Sequence, residues 1–504
     1  MNTSMRAVTP RRWLILLAVM LAFLPVVIDM TILHIAVPSL TLALGASATE
    51  VLWIIDIYPL LMAGLLVPMG TLADRVGNRR VLLIGLTVFG IASLLAAFAP
   101  NPALLIGARV LLALGGSMIL PCVLGIIRRT FEDENERAMA LGLWGTVSAA
   151  GAAVGPLIGG ALLEHFWWGS AFLINVPTML VVGPLVFLLL PRSEETTSGT
   201  WALGQALLLI AGMLALVYGI KAAVGATQPL AMVMAVALLG LGLLSVFARM
   251  QLRSATPMLD LSLFSRPAIL AGIIIATVAS GALAGVELTL AQELQYVLDR
   301  TPLQAGIFMI PIMVAAAIGG PVAGYLSNLC GLRLVASASL GLSAVALAFL
   351  ALADFHTPGF WVPAMLALLG LTLSIGLTAS SIAIMGSVEA SEGAAAGSLE
   401  ATAYELGTGL GITFFGVFMS SIFSRTISLP ADLAQPLAER AASSIGDSYV
   451  VAQSLTKPQS AALIEAAKEA FSVTHAMLLM TSSAMMGILG VFVFFMLRNY
   501  RQIS

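Results

Sequence analysis

Charge, lysine and cysteine are all scarce in this 504-residue chain. Only 10% of its residues are charged, the formal net charge is −2, and there are two cysteines, four histidines and three lysines. Cys122 and Cys330 fall in or beside apolar runs, so neither a disulfide framework nor a metal-ligand spacing can be built from them. With an isoelectric point near 6.1 and no basic face to neutralise phosphates, nothing points to nucleic acid. No glycine-rich run ends in Gly-Lys-Ser or Gly-Lys-Thr, so there is no P-loop, and the chain is not a self-sufficient ATP-driven pump. No nucleophile constellation, metal cluster or appended soluble domain is legible, so an enzyme is not expected.

What is abundant is apolar. At 60% hydrophobic residues and a mean hydropathy of +1.03, the chain carries more apolar surface than a soluble core can use. It reads as an all-α polytopic membrane protein. Apolar runs of spanning length lie at 13–37, 51–72, 81–99, 103–126, 138–162, 168–190, 201–220, 229–248, 267–291, 303–327, 334–352, 359–384, 397–423 and 471–497, fourteen in all. The first has arginines before it but is too long for a signal peptide and carries Asp29, so it is read as a retained helix.

Lys and Arg accumulate on the cytoplasmic side of membrane proteins. With both termini cytoplasmic, sixteen of the 23 basic residues fall inside, among them Arg6, Arg11, Arg12, Arg75, Arg79, Arg80, Arg128, Arg129, Arg192, Arg266, Arg333 and Arg501. Six, including Lys221, Lys457 and Lys468, fall outside, and Arg109 alone lies within a span. Trp53, Trp167, Trp168, Trp201 and Trp361 stand near run ends, where interfacial anchors belong.

The chain repeats itself. GYLSNLCGLR, Gly324 to Arg333, has the spacing of GTLADRVGNR, Gly70 to Arg79, at an offset of 254 that also carries Gly155 onto Gly409. Two six-helix halves with two helices inserted between them, 6 + 2 + 6, is the economical account. It divides the chain at 1–192, 193–266 and 267–504. One long extramembrane segment, 424–470, is expected outside as two short amphipathic helices broken near Pro458, a lid or packing hairpin.

Charges inside a bilayer are expensive and usually functional. Those within the runs are Asp29, Asp56, Arg109, Glu287, Glu400 and Glu405, five acids against one base. Surplus carboxylates attract organic cations, and burial disfavours their charged form, so a proton and a cationic substrate compete for the same group. Each has a plainer alternative. Asp29 could be a carboxylate satisfied by a neighbouring helix, Asp56 an interfacial group near Trp53 and Tyr58, Glu287 a wet rim acid, and Arg109 half of a structural ion pair. Glu400 and Glu405, five apart, cannot point the same way, and Glu400 shares a face with Tyr404 instead; Glu405, deeper in the membrane, is the cavity candidate of the two, and Glu400 could be a first-turn acid complementing the helix dipole. Trp144, Phe172 and Tyr404 are candidates to face flat cations through their rings. His34 reads as a polar contact.

GAAVGPLIGG, Gly151 to Gly160, concentrates Gly151, Gly155, Pro156, Gly159 and Gly160 in one span. Proline bends the axis, and the glycine row gives a side-chain-free face for close helix approach. Plain small-residue packing is one reading; a smooth seam between the fifth helix and the other half, limiting leak, is the other.

Several of these stretches resemble one family. GTLADRVGNRR resembles the loop signature of the major facilitator superfamily, LLIGARVLLALGGSMILP its fourth-helix motif, and GAAVGPLIGG the fifth-helix motif of its proton-driven antiporters. IDMTILHIAVPSL and FLINVP are similar to signatures of its fourteen-helix drug/proton branch, and ILPCVLGIIRRTF and LEATAYELGTGLG look like the quaternary ammonium and methyl viologen exporters. The resemblance implies an inner-membrane exporter of lipophilic cations driven by the proton motive force, needing no cofactor and working as a monomer in the bilayer. It implies Asp29, Asp56, Glu400 and Glu405 for cation recognition or proton coupling, and a cytoplasmic latch of Gly70, Asp74, Arg75, Gly77, Arg79 and Arg80. Departures are His34, where many members have asparagine, Ala401, where some have a second acid, and a tenth helix without an acid; they bear on dications. The rivals are a proton symporter or facilitator, which the fifth-helix motif speaks against, and a non-transporting membrane protein.

Overall fold

The computed structural model describes residues 9–191, 203–225, 228–357, 359–389, 392–431 and 433–500. Arg6, Arg192, Trp201 and Arg501, four of the topology markers, lie outside them. Among the described residues fourteen helices are long and apolar enough to cross a membrane, one for each apolar run. They are α1 (Thr9–Leu44), α2 (Ala48–Val76), α3 (Asn78–Ala97), α4 (Pro102–Thr130), α5 (Glu134–His165), α6 (Ser170–Leu173 and Asn175–Leu189), α7 (Leu203–Gly225), α8 (Leu230–Arg253), α9 (Pro267–Gln292), α10 (Ile310–Cys330), α11 (Leu332–Ala351), α12 (Trp361–Met385), α13 (Gly393–Thr426) and α14 (Lys457–Met496).

The residues at the breaks explain why the runs stop where they do. A Ser47/Glu50 capping box opens α2, and Asn101 accepts the Leu104 N–H at 2.9 Å to open α4. The tight joints α2–α3 and α10–α11 each turn on a glycine with positive φ, Gly77 at 102° and Gly331 at 81°. These two glycines are the repeat pair at offset 254, so the repeated spacing encodes a repeated turn. The arginines two residues on match as well. Arg79 donates to Phe187 O at 2.8 Å and lies over the Phe187 ring, while Arg333 donates to Phe494 O at 2.7 Å over the Phe494 ring.

Helix pairing repeats in the same way. In α1–α6, α1 packs on α5 and α4 on both α2 and α3; in α9–α14, α9 packs on α13 and α12 on both α10 and α11. Helices α7 and α8 pack chiefly on each other, with α7 also touching α2 and α13. The two six-helix sets meet along α2–α13, α5–α10 and α1–α9. Loops at one end of the bundle carry Arg75, Arg79, Arg80, Arg128, Arg129 and Arg266, the arginine-rich end; the segment 424–470 marks the other, the hairpin end.

The hairpin differs from its sequence expectation. It contains two short helices, Gln435–Ala441 and Ile445–Ala452, but Pro458 sits in the first turn of α14, which runs 40 residues without a break. Proline lacks the N–H that a first turn leaves unbonded anyway, so it starts this helix rather than separating two.

Candidate functional site

The mid-membrane charges converge where the two sets meet. Asp29 of α1 is fully buried and paired with the equally buried Arg109 of α4, whose Nη1 donates to Asp29 Oδ2. The guanidinium also donates from Nε to Ile54 O at 3.0 Å and lies over the Tyr58 ring at 4.6 Å, with Phe172 at 5.9 Å. One arginine therefore ties α1, α2, α4 and α6 together. The interruption of α6 between Leu173 and Asn175 is what turns Phe172 and Asn175 inward; Asn175 Nδ2 donates to Ser93 Oγ at 3.2 Å.

Asp56 of α2 is also fully buried, but its partner overturns one expectation. Lys221 was expected in an outer loop; it lies on α7, its side chain 2% exposed, with Nζ 2.6 Å from Asp56 Oδ2. Arg109 is thus not alone as a base within the spans. Trp53, expected as an interfacial anchor, places its ring centroid 3.7 Å from the same ammonium. Thr413 of α13 donates to Asp56 Oδ2 at 2.7 Å, so Asp56 joins the first set, the second set and the inserted pair.

Glu405 of α13 is half-buried and lies near Tyr58 of α2, across the boundary. Among the described residues, Asp29 Oδ1, Asp56 Oδ1, Tyr58 OH and Glu405 Oε2 are buried without a hydrogen-bond partner. Buried polar atoms are normally satisfied, so these unsatisfied ones set this boundary apart from an ordinary packed interface. Trp144 Nε1 is a fifth such atom, on a ring 5.5 Å from Phe23.

Glu400 and Tyr404 share a face, as their spacing required: the Tyr404 hydroxyl lies 3.1 Å from Glu400 Oε1 and 2.9 Å from Leu377 O of α12. This pair belongs to the second set and is separate from Glu405. Glu287 of α9 meets His34 of α1 across the boundary at 3.4 Å, both buried. A further buried acid went unread because it lies just past its apolar run. Glu293, in the π turn Glu293–Val297 that ends α9, receives the Ser472 hydroxyl at 2.7 Å and lies 3.5 Å from His475 Nδ1. The available signal was the polar cluster Gln292, Glu293 and Gln295 directly after the apolar run.

The glycine motif is placed differently from the seam reading. Gly151, Gly155 and Gly159 pack on Leu24, Val27, Ile28, Thr31 and Ile32 of α1, within the first set. A Cβ at Gly159 would stand 2.6 Å from Ile32 Cγ1, and one at Gly155 would overlap the Thr31 hydroxyl. Gly160 and Pro156 reach the other set: a Cβ at Gly160 would be 2.7 Å from Pro302 O, and one at Gly306 would be 2.7 Å from Pro156 O. The reason is geometric, since a row at spacing four lines one stripe of a helix and α1 already fills it. Toward the arginine-rich end, Gly142 and Gly145 of α5 and Gly324 of α10 have no heavy atom within 4 Å of a built Cβ. Contact between α5 and the second set is thus concentrated toward the hairpin end.

In the loop motif, Gly70 packs on Pro121 of α4, and Asp74 lies 3.6 Å from Arg129 at the end of α4. Arg75 and Arg80 are exposed. Together with the Arg79–Phe187 contact, these bonds stay within the first set.

Residues 19–291, more than half of the chain, match the family described as the Major Facilitator Superfamily. The methyl viologen resistance protein SmvA of Salmonella typhimurium is 47% identical over 97% of this chain and 98% of its own. The multidrug efflux pump LfrA of Mycolicibacterium smegmatis is 37% identical over 95% and 97%. Among solved structures, a bacterial homolog of the human lysosomal transporter Spinster, inward-facing and unoccupied, superposes with a TM-score of 0.69 at 16% identity, covering 98% of this chain and 99% of that one, which shows the shared fold. With fourteen membrane-crossing helices carrying this fold, the protein is a multi-pass component of the bacterial inner membrane and belongs to the Major Facilitator Superfamily.

Proposed function

We propose that this protein is a proton-coupled antiporter that exports lipophilic cations, such as quaternary ammonium antiseptics, cationic dyes and viologens. The carrying observation is the set of carboxylates at the boundary between the six-helix sets: Asp29 and Asp56 are fully buried, Asp29 is held by Arg109, and Glu405 is half-buried with its Oε2 shielded from solvent and without a hydrogen-bond partner. A carboxylate in that setting favours either a proton or a cation that brings its own charge, which is the competition antiport requires. The names of the two relatives, a methyl viologen resistance protein and a multidrug efflux pump, support the substrate class.

In this reading the sets are residues 1–192 and 267–504, with 193–266 inserted as two helices and both termini cytoplasmic. The state described is closed at the hairpin end, and the arginine-rich end is the loading side. A cytoplasmic cation displaces a proton from the carboxylates, the sets rock about their boundary, and protonation from outside releases the cation. The protein works as a monomer and takes no cofactor; the proton gradient supplies the drive. The latch of Asp74, Arg75, Arg79 and Arg80 engages the second set only when the opposite end opens.

The test is dye movement in inverted membrane vesicles containing the protein. Energised vesicles accumulate a fluorescent quaternary ammonium dye, and dissipating the proton gradient releases it. Accumulation that ignores the gradient, or none for any such cation, overturns the reading.

A further inference from the structure

We propose that Trp53 and Asp56 form a second organic-cation site, toward the hairpin end of the release route, and that Lys221 is its built-in occupant. The inference rests on the cation-export reading and adds a site and a competitor to it.

The chemistry of the corner is that of a quaternary-ammonium receptor. A cation over the face of a tryptophan, with a carboxylate beside it, is held by the ring quadrupole and by Coulomb attraction together. Both elements are present on one helical turn of α2, and a cation already sits in them: the Lys221 ammonium, 3.7 Å from the Trp53 ring centroid and 2.6 Å from Asp56 Oδ2. Thr413 of α13 donates to the same oxygen, Asp56 Oδ2, from the other set at 2.7 Å. Asp56 Oδ1 is buried with no partner, so the carboxylate has acceptor capacity its lysine does not use.

Room for a larger guest adjoins this corner. A cavity of about 610 Å³ lies under the hairpin, lined by Trp53 and Lys221 together with Tyr218, Glu50, Glu439 and Asp447. That volume falls within the range of small-molecule pockets. Its lining adds a second aromatic ring and the carboxylates of Glu50, Glu439 and Asp447, against one further base, Arg440, which is paired with Asp447 at 3.3 Å.

Lysine is a poor intrinsic ligand for such a corner. A primary ammonium is a compact, strongly hydrated charge, whereas a quaternary ammonium or phosphonium carries its charge under a hydrocarbon coat and loses less on leaving water. Lys221 holds the site because it is tethered, and tethering supplies a high effective concentration. A cation arriving from Asp29 and Glu405 displaces it. Once that cation has left, the lysine returns and blocks rebinding from outside, so the inserted α7 acts on the release step.

Binding of tetraphenylphosphonium to the full-length purified protein tests this. Wild type and Lys221→Arg are expected to show only weak Trp53-dependent binding, because the tethered cation holds the site. Lys221→Met is expected to gain a binding component about tenfold or more tighter, because the competitor no longer lowers the free fraction of the site. The gain should disappear in Lys221→Met/Trp53→Leu. Lys221→Gln, which still donates to Asp56, serves in the same way if Lys221→Met does not fold. A Lys221→Met or Lys221→Gln protein that binds as wild type does, or a gain that survives Trp53→Leu, overturns the site. If wild type binds and exports tetraphenylphosphonium while neither variant gains a component, the site falls and the export reading stands. If wild type neither binds nor exports any cation, the export reading falls, and a Trp53-dependent gain in Lys221→Met still upholds the site.

Discussion

His34 of α1 and Glu287 of α9 face each other across the boundary between the six-helix sets, with Nδ1 3.4 Å from Oε2 and both side chains buried. The pair is ionic only when the imidazole is protonated, and it must separate if the hairpin end opens. His34→Gln and Glu287→Gln should therefore each change the rate of dye export, and the double variant should fall short of the sum by a coupling of about 0.5–3 kcal/mol. Initial efflux rates at matched expression give the cycle. Additive effects would show that the two residues act independently.

Arg109 has more than one task, and the variants at this position should separate them. Arg109→Ala leaves the Asp29 carboxylate buried and unpaired, which typically costs about 3–5 kcal/mol, so little protein should reach the membrane. Arg109→Lys keeps the charge but cannot reach Asp29, Ile54 O and the Tyr58 face together. It should be made in near-normal amount and export at a small fraction of the wild-type rate. Immunoblots of membranes beside dye efflux read both quantities, and full activity in Arg109→Lys would mean that charge alone suffices.

The glycines of the fifth helix should divide by what they face. Gly155→Leu drives a side chain into Thr31, so α1 and α5 cannot close and the first set should be lost from the membrane. Gly160→Ala and Gly306→Ala press instead on backbone across the boundary. These should leave the protein in the membrane and slow export. Gly145→Ala meets no neighbour and should be neutral. A well-expressed, inactive Gly155→Leu would return that residue to the boundary.

How much of this was legible in the sequence follows from what each signal encodes. Apolar runs carry the length of a span directly, so all fourteen helices were readable, and the Glu400–Tyr404 pair followed from helical spacing alone. The offset of 254 encoded real turns, at Gly77 and Gly331. Periodicity says which residues share a stripe but not which helix covers it, so the partner of the Gly155 row was hidden. Lys221 stands one residue past its apolar run, where a lysine normally reaches for water. Its burial depends on a fully buried Asp56 from a helix some 165 positions earlier, a fact no local pattern holds. The one available hint was the imbalance of five acids against one base.

The hairpin should hold its end of the bundle shut in a pH-dependent way through Asp447. This side chain, in the short helix Ile445–Ala452, accepts the Ala48 N–H of α2 at 3.0 Å, while Arg440 donates to Gly45 O of the first set at 2.9 Å and Tyr449 donates to Tyr296 O of its own set at 2.6 Å. Burial pushes the Asp447 carboxyl above its ordinary value, against the opposing effect of the Ala48 N–H, Ser444 and Arg440. A raised value in the docked state means that docking binds a proton more tightly than release does. The contribution is complete below the ordinary value of 3.8 and is lost as pH rises through the raised value, so acidity outside favours the docked hairpin. Amide exchange across residues 445–452, corrected for its intrinsic pH dependence, should slow as the medium is acidified from neutral. Asp447→Asn keeps an acceptor for Ala48 but cannot titrate, so its exchange should lose that dependence; an unchanged profile in the variant would assign the effect to another group.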